Sequence, residues 1–234
     1  MSNRMDSTPF KMYKGGDCSL KRGKGLDIPL IIKDFNLINW IGANSFRTSH
    51  YPYAEEIIDQ ADAQGIVVID ECPAVGLISF GDVLLKQHKS VLRELVMRDR
   101  NHPSVIAWSV ANEPSSAKSS ADKYFGEVTK FVKFLDPTRP VTAAINADYT
   151  KEKAVIERQL TFFCIELMYT DIYKNFLFLE ITRVVGNKKG IFTRERQPKA
   201  SAKLLRCRYH TLTNRSIEGG IAYCPNIGAS DFKC

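Results

Sequence analysis

The chain has 234 residues, 44% of them apolar and 25% charged, a composition that excludes a disordered polyelectrolyte and allows a sizeable core in one domain. The formal charge of +7 is uneven: residues 183 to 234 carry 11 Lys/Arg against 3 Asp/Glu, and residues 1 to 182 carry 22 against 23. Basic character therefore belongs to the C-terminal part, where a polyanion, a membrane surface, a carboxylate-bearing small ligand or simply a solvated helix face would each account for it. The six cysteines (18, 72, 164, 207, 224 and 234) form no C-x-x-C pair and no His-Cys metal spacing, so neither zinc nor another metal is expected. The N-terminal MSNRMDSTPFKMY lacks the apolar core of a signal peptide, and Asn214-Arg215-Ser216 is a glycosylation sequon that matters only in a secretory compartment.

Residues 1–26 are polar and Gly/Lys-rich and read as a loop or remnant. Asp27 is placed to cap a helix whose apolar stripe is Ile31, Phe35, Ile38 and Ile41, ending near Gly42. A short strand over Asn44 to His50 runs into a polar tip, followed by a helix from Glu55 to Gln64 closed by Gly65. The β-branched run from Ile66 to Glu71 is the next strand, and Leu84, His88, Val91, Leu95 and their neighbours predict a helical face after it. Val105 to Ala111 is a nearly continuous small and β-branched run, the pattern of a strand buried on both faces of a parallel sheet. It leads to Asn112-Glu113-Pro114, and Pro114 is expected to hold Glu113 in extended backbone. Ser119 with Asp122 predicts a capping-box start to a helix striped by Tyr124, Val128, Phe131 and Leu135, and Pro140 to Ile145 predicts a fourth strand. Strand then helix at this spacing means parallel β-α-β units. Residues 155–182 fit neither period cleanly and read as an irregular helix; Glu166, Asp171 and Lys174 interrupt the apolar run, so no membrane span is expected. Arg183 to Gly190 is a basic loop, a short helix with Leu204, Leu205 and Tyr209 follows Pro198, and residues 214–234 read as a tail.

Three strand ends, His50, Asp70-Glu71 and Asn112-Glu113, fall along one rim if the units are consecutive. In a closed α/β barrel that C-terminal rim is where chemistry is done. A carboxylate there suits general acid/base work, although Asn-Glu-Pro also fits a plain polar strand end. His50 fits a hydrogen-bonded structural residue, and Asp70 or Glu71 could cap the next element or pair with Arg47. No Gly-rich phosphate loop is present, so phosphate chemistry is not supported.

The stretches SFRTSHYPYAEE (45 to 56), GIVVIDECP (65 to 73), NHPSVIAWSVANEP (101 to 114), LDPTRPVT (135 to 142) and RVVGNKKGIFTRERQPK (183 to 199) resemble glycoside hydrolase family 2 enzymes of the β-glucuronidase type. The resemblance covers roughly residues 22 to 154 and 183 to 213. It implies a partial (β/α)8 TIM barrel with strands two to five retained and later strands missing. The corresponding divisions are 1–26 a remnant, 27–154 the partial catalytic barrel, 155–182 an unfamiliar insert, 183–213 a substrate-carboxylate loop with a barrel helix, and 214–234 the tail. It also implies that Glu113 is the acid/base, that Asn112 bonds the sugar 2-hydroxyl, that His50 contacts the sugar, and that Arg183, Asn187 and Lys189 hold a glucuronate carboxylate. A glucuronide is then the partner, with no nucleic acid and no cofactor. The family's members oligomerise, and the resemblance implies a lysosomal or secretory setting, for which this sequence shows no visible signal peptide.

The departures are as clear as the matches. The family's preceding sandwich domains and first barrel strand have no counterpart, and neither does the Ser-Glu-Tyr-Gly-like segment that carries the nucleophile glutamate. Hydrolysis is therefore expected to be impaired. Glu71, Glu166 and Glu180 remain as carboxylates without the family context. A second expectation comes from a different class: a catalytically inactive splice or gene-model fragment, or a pseudoenzyme that binds glucuronides or family subunits.

Overall fold

The computed structural model describes residues 26–145, 164–165, 191–192 and 196–212. These fall into two compact units, one made by the described residues up to Ser45 together with those from Ile191 onward, the other running from Phe46 through the sheet.

In the first unit α1 (Ile28–Ile41) begins where the sequence predicts. Asp27 has extended backbone and its carboxylate accepts from the Leu30 N–H at 3.1 Å, while Pro29 occupies the first turn, where a missing N–H is no loss. Gly42 ends the helix at φ 80, a left-handed cap where a Cβ would also meet the His210 ring at 3.0 Å. The expected stripe Ile31, Phe35, Ile38 and Ile41 is buried. Asp34 is buried on the same helix because Arg196 grips it at both carboxylate oxygens, 2.8 and 3.1 Å away. Ile41 packs with Phe192 and with Ala202 of α5 (Ala200–Leu212), and the Arg206 guanidinium lies over the Trp40 ring at 4.5 Å.

The second unit, entered at β1 (Ser45–Arg47), whose first residue closes the first unit, alternates strand and helix: α2 (Glu55–Gln64), β2 (Val67–Glu71), α3 (Asp82–Asp99), β3 (Val105–Asn112), α4 (Ser119–Leu135), β4 (Val141–Ile145) and β5 (Cys164–Ile165). The strands lie side by side in chain order, and β2 with β3, β3 with β4, and β4 with β5 are parallel. A doubly wound sheet would reverse its order at a switch point, whereas this order never reverses, as in a barrel. The architecture is thus the expected partial α/β barrel.

The structure corrects three local expectations. Cys164 and Ile165, inside the stretch read as an irregular helix, pair with Ala144 and Ile145 as strand residues, so the sheet extends one short strand beyond the expected four. The α4 cap is the backbone of Lys118, with no side-chain bond, so Ser119 is the first helical residue rather than half of a capping box. Glu113 has φ 48, left-handed rather than extended. Its N–H donates to the Ala144 carbonyl at 2.8 Å and the Ser115 N–H donates to the Leu77 carbonyl at 2.7 Å. These two bonds hold the turn against the local preference that Pro114 imposes.

Candidate active site

Strand alternation sorts the polar groups of the sheet onto two faces. In the β2–β3 register Asp70 lies opposite Trp108, and Glu71 lies opposite Ser109. Trp108 donates its indole N–H to Asp136, the residue that ends α4, at 2.9 Å, so Trp108 and Asp70 share the face that the helices cover. Glu71 and Ser109 therefore share the other face, which in a barrel is the interior. Their side chains meet there: the Ser109 hydroxyl donates to Glu71 Oε2 at 2.7 Å.

That interior face leads up to the rim. Arg47, the last residue of β1, places Nε 3.5 Å from Glu71 Oε2 and donates from Nη2 to Asn112 Oδ1 at 3.3 Å. His50 Nδ1 lies 3.9 Å from Glu71 Oε1. The turn that carries His50 is built from Thr48, whose hydroxyl donates to Asp70 at 2.8 Å and accepts from the Glu71 N–H at 2.7 Å. Tyr53 secures the far side of the turn, donating its hydroxyl to the Ser49 carbonyl at 3.2 Å and accepting at its own carbonyl from Arg98 at 2.9 Å. The Ser49–His50 peptide is cis.

Asn112 and Glu113 are consecutive, yet their surroundings differ sharply. Asn112 is buried: its N–H donates to the Ala74 carbonyl at 2.9 Å, and its carbonyl accepts from the Gly76 N–H at 2.8 Å. The β3–β4 register shifts between Ser109 and Asn112, a local irregularity of the kind that re-aims side chains near sites. Glu113 is exposed. The structure thus places a buried amide and an open carboxyl at one strand end, and the left-handed turn separates them.

His50, Asn112 and Glu71 are brought together through Arg47, with Glu113 next in the chain. Arg183, Asn187 and Lys189 lie outside the described residues, as do Glu166 and Glu180. Glu71 has no exposed surface and its Oε2 is engaged by Ser109 and Arg47, which unfits it as a stand-in nucleophile. Ser109 and Thr48 were not foreseen as part of this constellation. A signal existed for Ser109, since a hydroxyl inside a run as apolar as Val105–Ala111 has to find a buried partner.

Two other clusters lie away from this rim. Asp59, Asp62 and His102 are close enough to hold an ion, but the Asp62 oxygens already accept from the His102 ring at 2.6 Å and from the Ser104 N–H at 2.8 Å, which joins α2 to the start of β3. A groove of about 440 Å³ lined by Lys86, Lys89, Arg93 and Phe131 lies on the outer helices. Its Lys89 pairs with Glu127, and Lys89 and Arg93 both sit over the Phe131 ring. Among the described residues no helix is long and apolar enough to cross a membrane.

Comparison with known proteins gives the chain a family. The family model described as "Glycosyl hydrolases family 2, TIM barrel domain" matches residues 15–181. Beta-glucuronidases from Chlorocebus aethiops and Homo sapiens are each 39% identical over 277 residues, covering 83% of this chain and 43% and 42% of their own lengths. The matched span is longer than this whole chain of 234 residues. The relatives therefore carry residues inside the matched region that have no counterpart here. Among solved structures, a beta-glucuronidase from an uncultured Clostridium sp. superimposes with TM-score 0.70 at 36% identity, covering 82% of this chain and 49% of its own. That of Dictyoglomus thermophilum gives 0.69 at 35%, covering 86% and 50%. The chain spans about half the length of these relatives or less, and it belongs to glycosyl hydrolase family 2, with sequence and fold of that family's TIM barrel domain.

Proposed function

We propose that this chain carries the acid/base half of a retaining β-glucuronide hydrolase site. The observation that carries the proposal is the Asn112-Glu113 pair, with its amide buried and fixed by Arg47 and its carboxyl open at the C-terminal end of a barrel strand. In this role Glu113 protonates the glycosidic oxygen and, as a carboxylate, then activates the water that completes hydrolysis. The Asn112 amide bonds the sugar 2-hydroxyl, and His50 lines the same rim. Arg183, Asn187 and Lys189 supply a planar cation, an amide and a point cation for the uronate carboxylate. One solved relative is described as complexed with coumarin-3-O-glucuronide and another with D-glucaro 1,5-lactone, which supports a glucuronide as the substrate class. The family resemblance also carries the expectation of a lysosomal or secretory setting.

Retention needs a second carboxylate about 5–5.5 Å from the first to form the covalent intermediate. No Ser-Glu-Tyr-Gly-like segment exists in this sequence, and Glu71 is buried and engaged. The proposed outcome is a chain that recognises the sugar and turns it over at a negligible rate. A second reading, a non-catalytic binder of glucuronides or of family subunits, is favoured by the residues that the relatives possess within the matched span and this chain lacks.

Assay of the purified chain with a chromogenic β-glucuronide tests the first reading, and calorimetric titration with glucuronate and with glucose tests recognition. The expected result is heat with glucuronate, less with glucose, and no turnover above background. Family-like turnover that disappears in Glu113→Gln would overturn the impairment and require a second carboxylate elsewhere in the chain. Absence of heat with either sugar would remove the glucuronide site.

A further inference from the structure

We infer that Glu71 is a positioning residue for the sugar-side site, acting through Arg47 to fix which end of the Asn112 amide faces the ligand; this rests on the role of Asn112 proposed above. Glu71 is fully buried, and a carboxylate taken out of water needs charged or hydrogen-bonding partners. The Ser109 hydroxyl at 2.7 Å and the Arg47 guanidinium at 3.5 Å both address its Oε2. Ser109 is fixed by the β2–β3 register, so the carboxylate is held from the strand side and offers its charge to Arg47 at the rim.

The consequence lies at the far end of the guanidinium. Arg47 is a donor with no acceptor atoms, so the Asn112 atom at 3.3 Å from Nη2 must be the amide oxygen. The amide nitrogen is thereby left as the group not turned to Arg47, and it presents N–H donors to whatever occupies the site. A ligand recognised there has to offer an acceptor oxygen, as a sugar hydroxyl does. Without the Glu71 charge the guanidinium loses its partner at 3.5 Å, and its contact with the amide is no longer held from that side. His50, 3.9 Å from the other carboxylate oxygen, belongs to the same arrangement, so one buried carboxylate organises side chains from β1, its following turn and β3.

The test uses the full chain and two readouts. In Glu71→Gln, which keeps shape and removes charge, the Asn112 side-chain amide resonances should move in a ¹H–¹⁵N spectrum, and glucuronate affinity should fall by about tenfold, the loss of one charge-assisted contact. Arg47→Gln should reproduce both effects, and the double variant should add nothing further, because the two residues act through one contact. Unmoved Asn112 resonances in Glu71→Gln, or fully additive losses in the double variant, overturn the inference. If the wild-type chain shows no heat with glucuronate, the functional proposal fails while the Asn112 resonances still decide the role of Glu71. Should Glu71→Gln not fold, Arg47→Gln carries the test alone, and Asn112 resonances unchanged in that variant overturn the inference as well.

Discussion

Asp70 and Glu71 are neighbours in the chain and both are fully buried, yet they lie on opposite faces of β2 and meet different partners. On the helix-covered face Asp70 lies against the Asp99 carboxyl, which Arg98 already holds at 2.6 and 2.7 Å. Burial, then the bond and charge of Asp99, push Asp70 well above the usual carboxylate range. The same face holds His88, which burial lowers to about 4, between the Val110 carbonyl at 2.8 Å and the Tyr124 hydroxyl at 2.9 Å. The Cys72 thiol and the Tyr124 phenol are likewise pushed up by burial, so this network is neutral. On the interior face Glu71 meets the Ser109 hydroxyl at 2.7 Å, the Arg47 guanidinium at 3.5 Å and the His50 ring at 3.9 Å, and Glu113, just past the end of β3, opens to solvent. The helix face pairs Asp70, His88, Cys72 and Tyr124 with buried partners and closes. The interior face keeps donors and charge available at the rim, and the difference between the two separates scaffold from site.

The largest break in this comparison should come from the closed face. Asp136 takes hydrogen bonds from Trp108 at 2.9 Å, Arg139 at 2.8 Å and the Thr138 N–H at 2.9 Å, and Arg139 also bonds the Val105 carbonyl at 2.6 Å. Burial works against the charge of Asp136, but these bonds outweigh it and hold the carboxyl far below its usual range. Asp136→Ala should cost about 2–4 kcal/mol in urea unfolding, since it strands the buried Trp108 N–H and releases the Thr138 and Arg139 donors together. A loss under about 0.5 kcal/mol would mean that this end of the sheet is not closed in the way described.

A smaller and sharper effect concerns pH. Because the folded pKa of Asp70 is raised, the unfolded chain gives up a proton above about pH 4 that the folded chain keeps, so this residue makes stability fall as pH rises. His88 acts in the opposite sense: with a folded pKa of about 4 against an ordinary 6.5, it makes stability fall as pH drops through that window. Asp70→Asn can still accept from Thr48 and donate to Asp99. It should remove only the first contribution, so its urea midpoint should rise more steeply than wild type between about pH 4 and 6.5. Parallel profiles for the two proteins would show that Asp70 holds no extra proton.

What was legible in the sequence follows the same division. For α1, Asp27, Pro29, the four-residue stripe and Gly42 all point one way, and the helix stands where they agree. The ends of β1, β2 and β3 were legible because buried strands need apolar runs and their exits do not. The pairing of Glu71 with Arg47 was among the alternatives the sequence offered, but its meeting with Ser109 was not, because that depends on the β2–β3 register, which no single strand encodes. Cys164 and Ile165 could not be read as strand because two residues show no period. Ser119 misled because the backbone of Lys118 took the cap. The resemblance named His50, Asn112 and Glu113, and physical reading then found what holds the first two; Arg183, Asn187 and Lys189 lie beyond the described residues.

The smallest expected effect bears on Glu113 itself. Its φ of 48 is a conformation that costs a non-glycine residue about 1–2 kcal/mol, and its exposed side chain has no burial to set against that cost. Glycine adopts this backbone freely but has more conformational freedom to lose on folding, about 0.5–1 kcal/mol. Glu113→Gly should therefore stabilise the chain by about 0.5–1 kcal/mol in urea unfolding while removing the proposed proton donor. Glu113→Gln keeps the backbone cost and should leave stability within about 0.5 kcal/mol of wild type. The pair of variants separates two explanations of the same turn. If the left-handed backbone is there to aim a carboxyl, stability rises when the side chain is deleted and stays level when only its charge is removed. If Glu113→Gly instead destabilises, the side chain contributes to the fold, and the open face would be a closed one like its opposite.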